Sequence, residues 1–375
     1  MNYKKYLYLL FSLVIIVACS SSPENDVVSD DGNNPVSGGN GGSGSDPNNG
    51  GGNPSSSTWS IPKDQIVDVS GKDGIPSIDN PVFISADDSR VSTYMDDNDL
   101  VVGVKLGNVI KAYPHKILDW HEVVNDEFSG RKITINYCPL TGTAFAWEFK
   151  KDNTPYTFGV SGLLYKSNLI LYDRETDSNW SQMELACVNG AERGKLPSLI
   201  QLVETNWKTW KNSYPETEIM LNQQGFDRNY QIYPYVGYLD TDDFLIFPVT
   251  PLDNRLLLKE RVHGLIEGGN VKAFRFQEFV DGNTIKDKYQ AKDFLLVGNE
   301  NVIKSFILSP DLKDVEFTYS YADNTEFFQD SLGNKWSIIG EAIEGPMIGR
   351  KLQDATSVTG FWFSLASFYP NPAIY

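Results

Sequence analysis

The stretch Tyr137-Cys138-Pro139-Leu140-Thr141-Gly142 places a thiol just past an apolar, strand-like run, where a loop can present it to a ligand. His115 and His121 lie upstream, with Asp119 and Glu122 beside them. An imidazole folded against the thiol would draw off its proton and leave a nucleophilic thiolate, with Glu122 or Asp119 orienting the ring. The catalytic set expected on this reading is Cys138, His121 and Glu122. Cys138 with His121 and His115 could instead hold a thiophilic metal such as zinc or copper. The spacing His-x5-His-x16-Cys matches no standard metal signature. The third reading is structural: a cysteine after a strand is often inert, and buried histidines are often satisfied core residues.

Downstream, Gly159-Val160-Ser161-Gly162-Leu163-Leu164-Tyr165-Lys166-Ser167-Asn168 is punctuated by glycine. It would either bring backbone N–H groups close to a ligand or form a bulged strand. With the cysteine loop it supplies an expected ligand-binding set of Tyr137, Thr141, Ser161, Tyr165 and Asn168. Asp173-Arg174-Glu175 reads as an ion-paired surface hairpin.

The chain also repeats itself, which supplies an internal control. Val102-Gly103-Val104 through Lys111-Ala112-Tyr113 matches His263-Gly264-Leu265 through Lys272-Ala273-Phe274 at a constant offset of 161 residues. Trp180-Ser181 matches Trp336-Ser337 at an offset of 156. The copies run over about 97–221 and 258–375. Positions that serve only the fold should stay apolar in both. Yet His115 faces Phe276, His121 faces Gly282, Glu122 faces Asn283, Tyr137 faces Gly298 and Cys138 faces Asn299. Cys187 faces Ile343, as a small buried hydrophobe would; a bridge to Cys138 is its other reading.

These residues need elements to hold them. Val101–Leu106, Ile133–Tyr137 and Leu169–Tyr172 alternate as half-buried strands. Gly107-Asn108 and Gly268-Gly269 sit where hairpin turns belong. Trp207-Lys208-Thr209-Trp210 reads as a short helix stopped before Tyr214-Pro215. The expected fold is α+β and β-rich, with two tandem pseudo-repeats packed into one pseudo-symmetric unit across residues 59–375.

Ahead of this domain, Lys4 and Lys5 followed by the apolar run Leu9–Val17 form an export signal over residues 1–18, too short to span a bilayer. It ends in Ala18-Cys19, so Cys19 is expected to carry lipid and tie the chain to a membrane. Residues 20–58 are almost entirely Ser, Gly, Asn, Asp and Pro, a composition that reads as a flexible spacer. The expected location is extracytoplasmic, with the outer membrane or cell surface favoured. A net charge of −17 argues against a nucleic-acid partner, which would need clustered cations. Of three cysteines only Cys138 and Cys187 remain after Cys19, so this is no disulfide scaffold.

Lys111-Ala112-Tyr113-Pro114, Trp120-His121-Glu122-Val123-Val124-Asn125-Asp126, the Tyr137–Gly142 loop, Phe158–Tyr165 and Tyr172-Asp173-Arg174 resemble the domain-of-unknown-function family 3179. Lys259-Glu260-Arg261-Val262 and the stretch from Trp336 to Tyr375 resemble it too. The likeness covers nearly all of 70–375 and implies no defined reaction. It does imply that relatives carry Cys-Pro-Leu-Cys, some with selenocysteine, where this chain has Cys138-Pro139-Leu140-Thr141. Such a site suggests redox or soft-metal chemistry. Thr141 removes the dithiol option and leaves a one-cysteine route through a sulfenic acid or mixed disulfide.

Three functions therefore stand as expectations: a thiol-dependent site at Cys138 and His121 acting on a small molecule or thiol partner; a zinc or copper site on the same residues; and a non-enzymatic binder of glycans or peptides. The last would use Tyr230, Tyr233, Tyr235 and Tyr238 between the repeats, and packing is the plainer account of those rings.

Overall fold

In a computed structural model the chain is described over residues 58–375. The expected export signal, the lipidated Cys19 and all but the last residue of the spacer fall outside the described residues.

The sequence runs of Val, Ile and aromatic residues become strands, and the molecule is β-rich with only three α-helices among the described residues. Strand Leu100–Leu106 turns through Gly107-Asn108 into Val109–Pro114, and Gly107 takes the positive φ of 61° that the two-residue turn needs. Strand Val203–Asn206 adds antiparallel to the first strand of this hairpin, and Glu218–Met220 adds parallel to the second. A second sheet lines up Val123–Phe128, Arg131–Cys138, Thr143–Glu148 and Ser198–Ile200.

The later segment lays out the same pairings. Arg261–Glu267 and Asn270–Arg275 form a hairpin, Ser357–Phe361 adds antiparallel to the first strand, and Ala373–Ile374 adds parallel to the second. Asn283–Tyr289, Lys292–Asn299, Val302–Ile307 and Gln353–Asp354 form the matching four-stranded sheet. Two polar pairs recur as well. Lys111 Nζ meets Asp126 at 2.8 Å, as Lys272 meets Asp287 at 2.8 Å. The Trp180 indole donates to Asp173 at 2.7 Å, as that of Trp336 does to Asp330 at 2.9 Å.

Helix α1 (His115–His121) follows Pro114, whose fixed φ leads into the first turn. Helix α2 (Trp207–Ser213) is capped by Asn206, which accepts from the Thr209 N–H at 2.8 Å, and ends before Tyr214 as expected. Helix α3 (Trp362–Phe368) follows the matching strand of the later segment. Each is under two turns, so packing rather than intrinsic propensity holds it.

The strands are covered more completely than their alternation suggests. Asn168–Asp173 is buried at every position, and Arg131–Cys138 is buried from Ile133 onward. The reason is core sharing. One core joins Val101, Ile110, Trp207 and Trp210 to Leu295, Phe306 and Trp336; another joins Phe145, Trp147, Phe158 and Trp180 to Val262, Val271 and Trp362. Each segment thus covers sheet faces of the other. No helix among the described residues is long and apolar enough to cross a membrane.

Candidate functional site

Cys138 ends its strand, and its carbonyl closes the Pro139-Leu140-Thr141 turn by accepting from the Gly142 N–H at 2.8 Å. The thiol is fully buried, with Sγ 3.7 Å from the Ser167 carbonyl. Burial, reinforced by the negative charge of Glu122, pushes it up to about 12, so it is a protonated thiol at neutral pH. Cys187 is also buried and free, so the bridge between the two is not formed.

His121 does not serve Cys138. Its Nδ1 lies 2.7 Å from the Pro76 carbonyl and its Nε2 lies 2.8 Å from the Tyr230 hydroxyl. A carbonyl only accepts, so Nδ1 carries the proton and Nε2 accepts from Tyr230. Both nitrogens are occupied, and burial lowers the pKa, so the ring is a neutral strut between α1 and two loops. His115 sits elsewhere, its ring 4.5 Å from that of Tyr137 and its Nε2 4.0 Å from Glu204. Burial and the nearby Arg261 pull it down to about 3. Cys138, His121 and His115 are therefore not gathered, and no cluster of three or more His, Cys, Asp or Glu able to hold a metal occurs among the described residues.

The structure brings Glu122 to the cysteine instead. Glu122 caps the end of α1 with φ 57° and ψ −33°, a conformation that costs a non-glycine residue about 1–3 kcal/mol. Its N–H bonds the Leu118 carbonyl at 2.8 Å and its carbonyl accepts from the Tyr137 N–H at 2.7 Å, which fixes the turn beside the cysteine strand. The carboxyl is buried, and Tyr235 donates to Oε1 at 3.2 Å. Burial pushes it up to about 7, the tyrosine only partly offsetting that. Asp119, one turn back, is pushed to about 8 by burial and then by Glu122.

A lid of tyrosines closes this corner. Tyr238 donates to the Leu140 carbonyl at 2.7 Å, Tyr233 reaches the Pro139 carbonyl at 3.4 Å, and Tyr235 takes Glu122. With Tyr230 on His121, all four hydroxyls turn inward onto the first segment, so these rings form no exposed shelf for sugars. Their clustering within nine residues was the one signal in the sequence that they act together.

Beneath the lid lies an apolar cavity of about 220 Å³, walled by Ile75, Leu140, Val160, Leu169 and Phe247. Glu122 and Tyr235 supply the polar end of its wall. Behind the turn, Thr141 Oγ1 meets Thr143 Oγ1 at 2.8 Å and accepts from the Asn168 amide at 2.9 Å. Gln182, which no sequence signal flagged, completes this buried network through Asn168 at 2.7 Å and Asn136 at 3.0 Å.

The remaining expected ligand residues are structural in their contacts. Ser161 bonds the Ile170 carbonyl and the Leu163 N–H within a bulge of strand Phe158–Tyr165. The glycine-punctuated segment is thus the bulged strand, and the backbone that Gly162 approaches is that of Gly71 in the same chain. Tyr165 packs edge-on against Phe368 at 5.5 Å. Arg174 pairs with Asp79 at 2.8 Å, while Asp173 is buried and holds Trp180.

Residues 72–372 match the model of a family described as a protein of unknown function, DUF3179. The chain belongs to the DUF3179 family. No curated protein and no solved structure matches this chain. In this DUF3179 protein the threonine of the Cys138–Thr141 turn is not a vacant redox position. Its hydroxyl is built into the Asn168–Gln182 network, which holds the turn against the strand that carries the thiol.

Proposed function

We propose that this protein is an extracytoplasmic lipoprotein, anchored through Cys19, with a thiol-dependent site in which Glu122 rather than His121 is the proton partner of Cys138. The single observation carrying this reading is a strained, buried carboxyl at the polar end of an apolar cavity next to a buried thiol. A carboxyl near 7 is poised to take a proton at neutral pH, as a general base must be. With the thiol near 12, the proton stays on sulfur while the tyrosine lid is closed. A small apolar electrophile or disulfide would enter the cavity beside Glu122 and Leu140 and reach the buried thiol as the turn carrying Leu140 opens, because Cys138 itself is not in the cavity wall. Glu122 would then accept the thiol proton as the sulfur bonds to the electrophile, or displaces one thiol of the disulfide. The duplicated sequence and the matched pairings further support two pseudo-symmetric copies, of which only the first retains the site.

Reaction of Cys138 with N-ethylmaleimide and with iodoacetate, followed by peptide mass spectrometry across pH 5–9, tests the proposal. The expected result is faster labelling by the uncharged reagent, a rate that rises through about pH 7, and loss of that inflection in Glu122→Gln. Labelling of Cys138 no faster than that of Cys187, and without an inflection near 7, would mean that the thiol reacts only on unfolding and would sink the idea.

A further inference from the structure

The lining of the cavity beneath the tyrosine lid narrows what it can hold. At about 220 Å³ it exceeds the ~150 Å³ apolar cavity that suffices for a benzene ring. Ile75, Leu140, Val160, Leu169 and Phe247 give it hydrocarbon walls. Apart from the exposed Ser70, whose hydroxyl turns to the Gly71 carbonyl, its polar side chains are those of Glu122 and Tyr235. Glu122 is only 5% exposed, yet half of its carboxyl is unused. Oε1 accepts from Tyr235 at 3.2 Å, and Oε2 bonds none of the described residues.

The titratable groups around this carboxyl are acids. Asp119 faces it from α1, Cys138 from the end of its strand, and Tyr233 and Tyr235 from the lid. His121, next in sequence, is neutral with both ring nitrogens bonded. No lysine or arginine among the described residues offsets the charge of Glu122 or of Asp119. A buried carboxylate is ordinarily matched by a cation; here the fold supplies none, and burial holds the proton on Glu122 instead.

A missing counter-charge beside a hydrocarbon-walled space points to a guest that carries a cation on an apolar body. A metal ion is a poor match, because one carboxyl among hydrocarbon side chains offers it too few ligands. An anion would be repelled by Glu122 and Asp119. A sugar would bury its hydroxyls unpaired against valine, leucine and phenylalanine.

We infer that this cavity binds a small hydrophobic monoamine as its ammonium ion, with the ammonium on Glu122 Oε2 and the hydrocarbon body against Val160, Leu169 and Phe247. The inference rests on the same cavity as the proposed thiol site and names the class of molecule it takes, without requiring chemistry at sulfur. No covalent bond to carbon forms or breaks. The guest arrives as the ammonium, Glu122 gives its proton to water, and the two opposite charges meet where water is excluded.

Isothermal titration of the full chain with phenethylamine, phenethyl alcohol and phenylacetate at constant salt tests this. At about pH 8 the amine should bind saturably, the alcohol about tenfold or more weakly, and the anion not at all. Amine affinity should fall toward about pH 6, where titration in two buffers of different protonation enthalpy should count about one proton released per amine. In Glu122→Gln the amine should drop to the level of the alcohol and the proton release should vanish; the alcohol, still bound, shows that the cavity is intact. The proton count in the wild type needs no variant. Absence of amine binding would overturn the inference, as would equal binding of amine and alcohol by the wild type or undiminished amine binding by Glu122→Gln. Sulfur is not modified in these titrations, so their failure leaves the thiol reading standing, and failure of Cys138 labelling leaves this one standing.

Discussion

At the scale of single residues, Glu122 carries the most physical information. An unfolded glutamate has the ordinary value of 4.5, and the folded one is raised to about 7 by burial. The folded state therefore holds an extra proton between those values, and stability falls as pH rises through that window. Glutamine mimics the neutral acid and cannot ionise. Glu122→Gln should thus match wild type near pH 5 and exceed it by roughly 3 kcal/mol above pH 8, measured by urea unfolding at both pH values. A variant that is less stable than wild type at pH 8 would mean that the carboxylate is stabilised there by a partner. His121 teaches the opposite lesson. Its type and position suggested a base, yet two hydrogen bonds consume both ring nitrogens, and the buried carboxyl beside the cysteine strand is that of its neighbour in sequence.

At the scale of elements, two glycines set how closely the helices approach the hairpins. A Cβ on Gly103 would lie 2.4 Å from the indole of Trp210 in α2, and one on Gly264 would lie 2.2 Å from a terminal methyl of Leu365 in α3. An indole buried on all sides cannot step aside, whereas a leucine tip can change rotamer. Gly103→Ala should therefore cost about 1–3 kcal/mol and Gly264→Ala clearly less, as read from urea midpoints at unchanged slope. Equal costs would show that α2 shifts bodily on its sheet. The tyrosine segment between the two sets of strands is an element of another kind. It has no regular structure, and it is pinned by hydroxyls on the carbonyls of Pro139 and Leu140 and on Glu122. Of these, the bond from Tyr235 to Glu122 joins two residues of the cavity wall.

At the scale of the whole molecule, the two segments are not separable beads. The two largest cores mix side chains from both, so neither segment buries all of its own apolar faces alone. A polar cavity follows from this arrangement, walled by strands of both segments, among them Thr143–Glu148 and Ser357–Phe361. Attachment also belongs to this scale. The Ala18-Cys19 junction predicts that the mature chain begins at a lipid-bearing Cys19. Intact mass of the membrane-extracted protein should show loss of residues 1–18 and added acyl mass, and Cys19→Ala should leave the unprocessed chain. A mature chain cut beyond Cys19 would make this a soluble exported protein.

What the sequence determined by itself was local or compositional. The Gly107-Asn108 turn, the Asn206-capped helix and the strands around Cys138 were legible because turn chemistry and apolar periodicity act over a few residues. The family was legible from several long motifs in order. At the constant offset of 161 the sequence sets Asn299 and Asn283 opposite Cys138 and Glu122, a difference legible without the structure. Tertiary structure alone decided the partnerships. His121 is turned to Pro76 and Tyr230, Glu122 and Tyr235 share a cavity wall, and Gln182 closes a network with Asn168. Those pairings join residues 14 to 113 positions apart, and the pKa values of the ionisable ones depend on how much water packing excludes. Neither quantity is encoded in spacing, so a cysteine and a histidine seventeen residues apart could promise a dyad that the fold spends on other bonds.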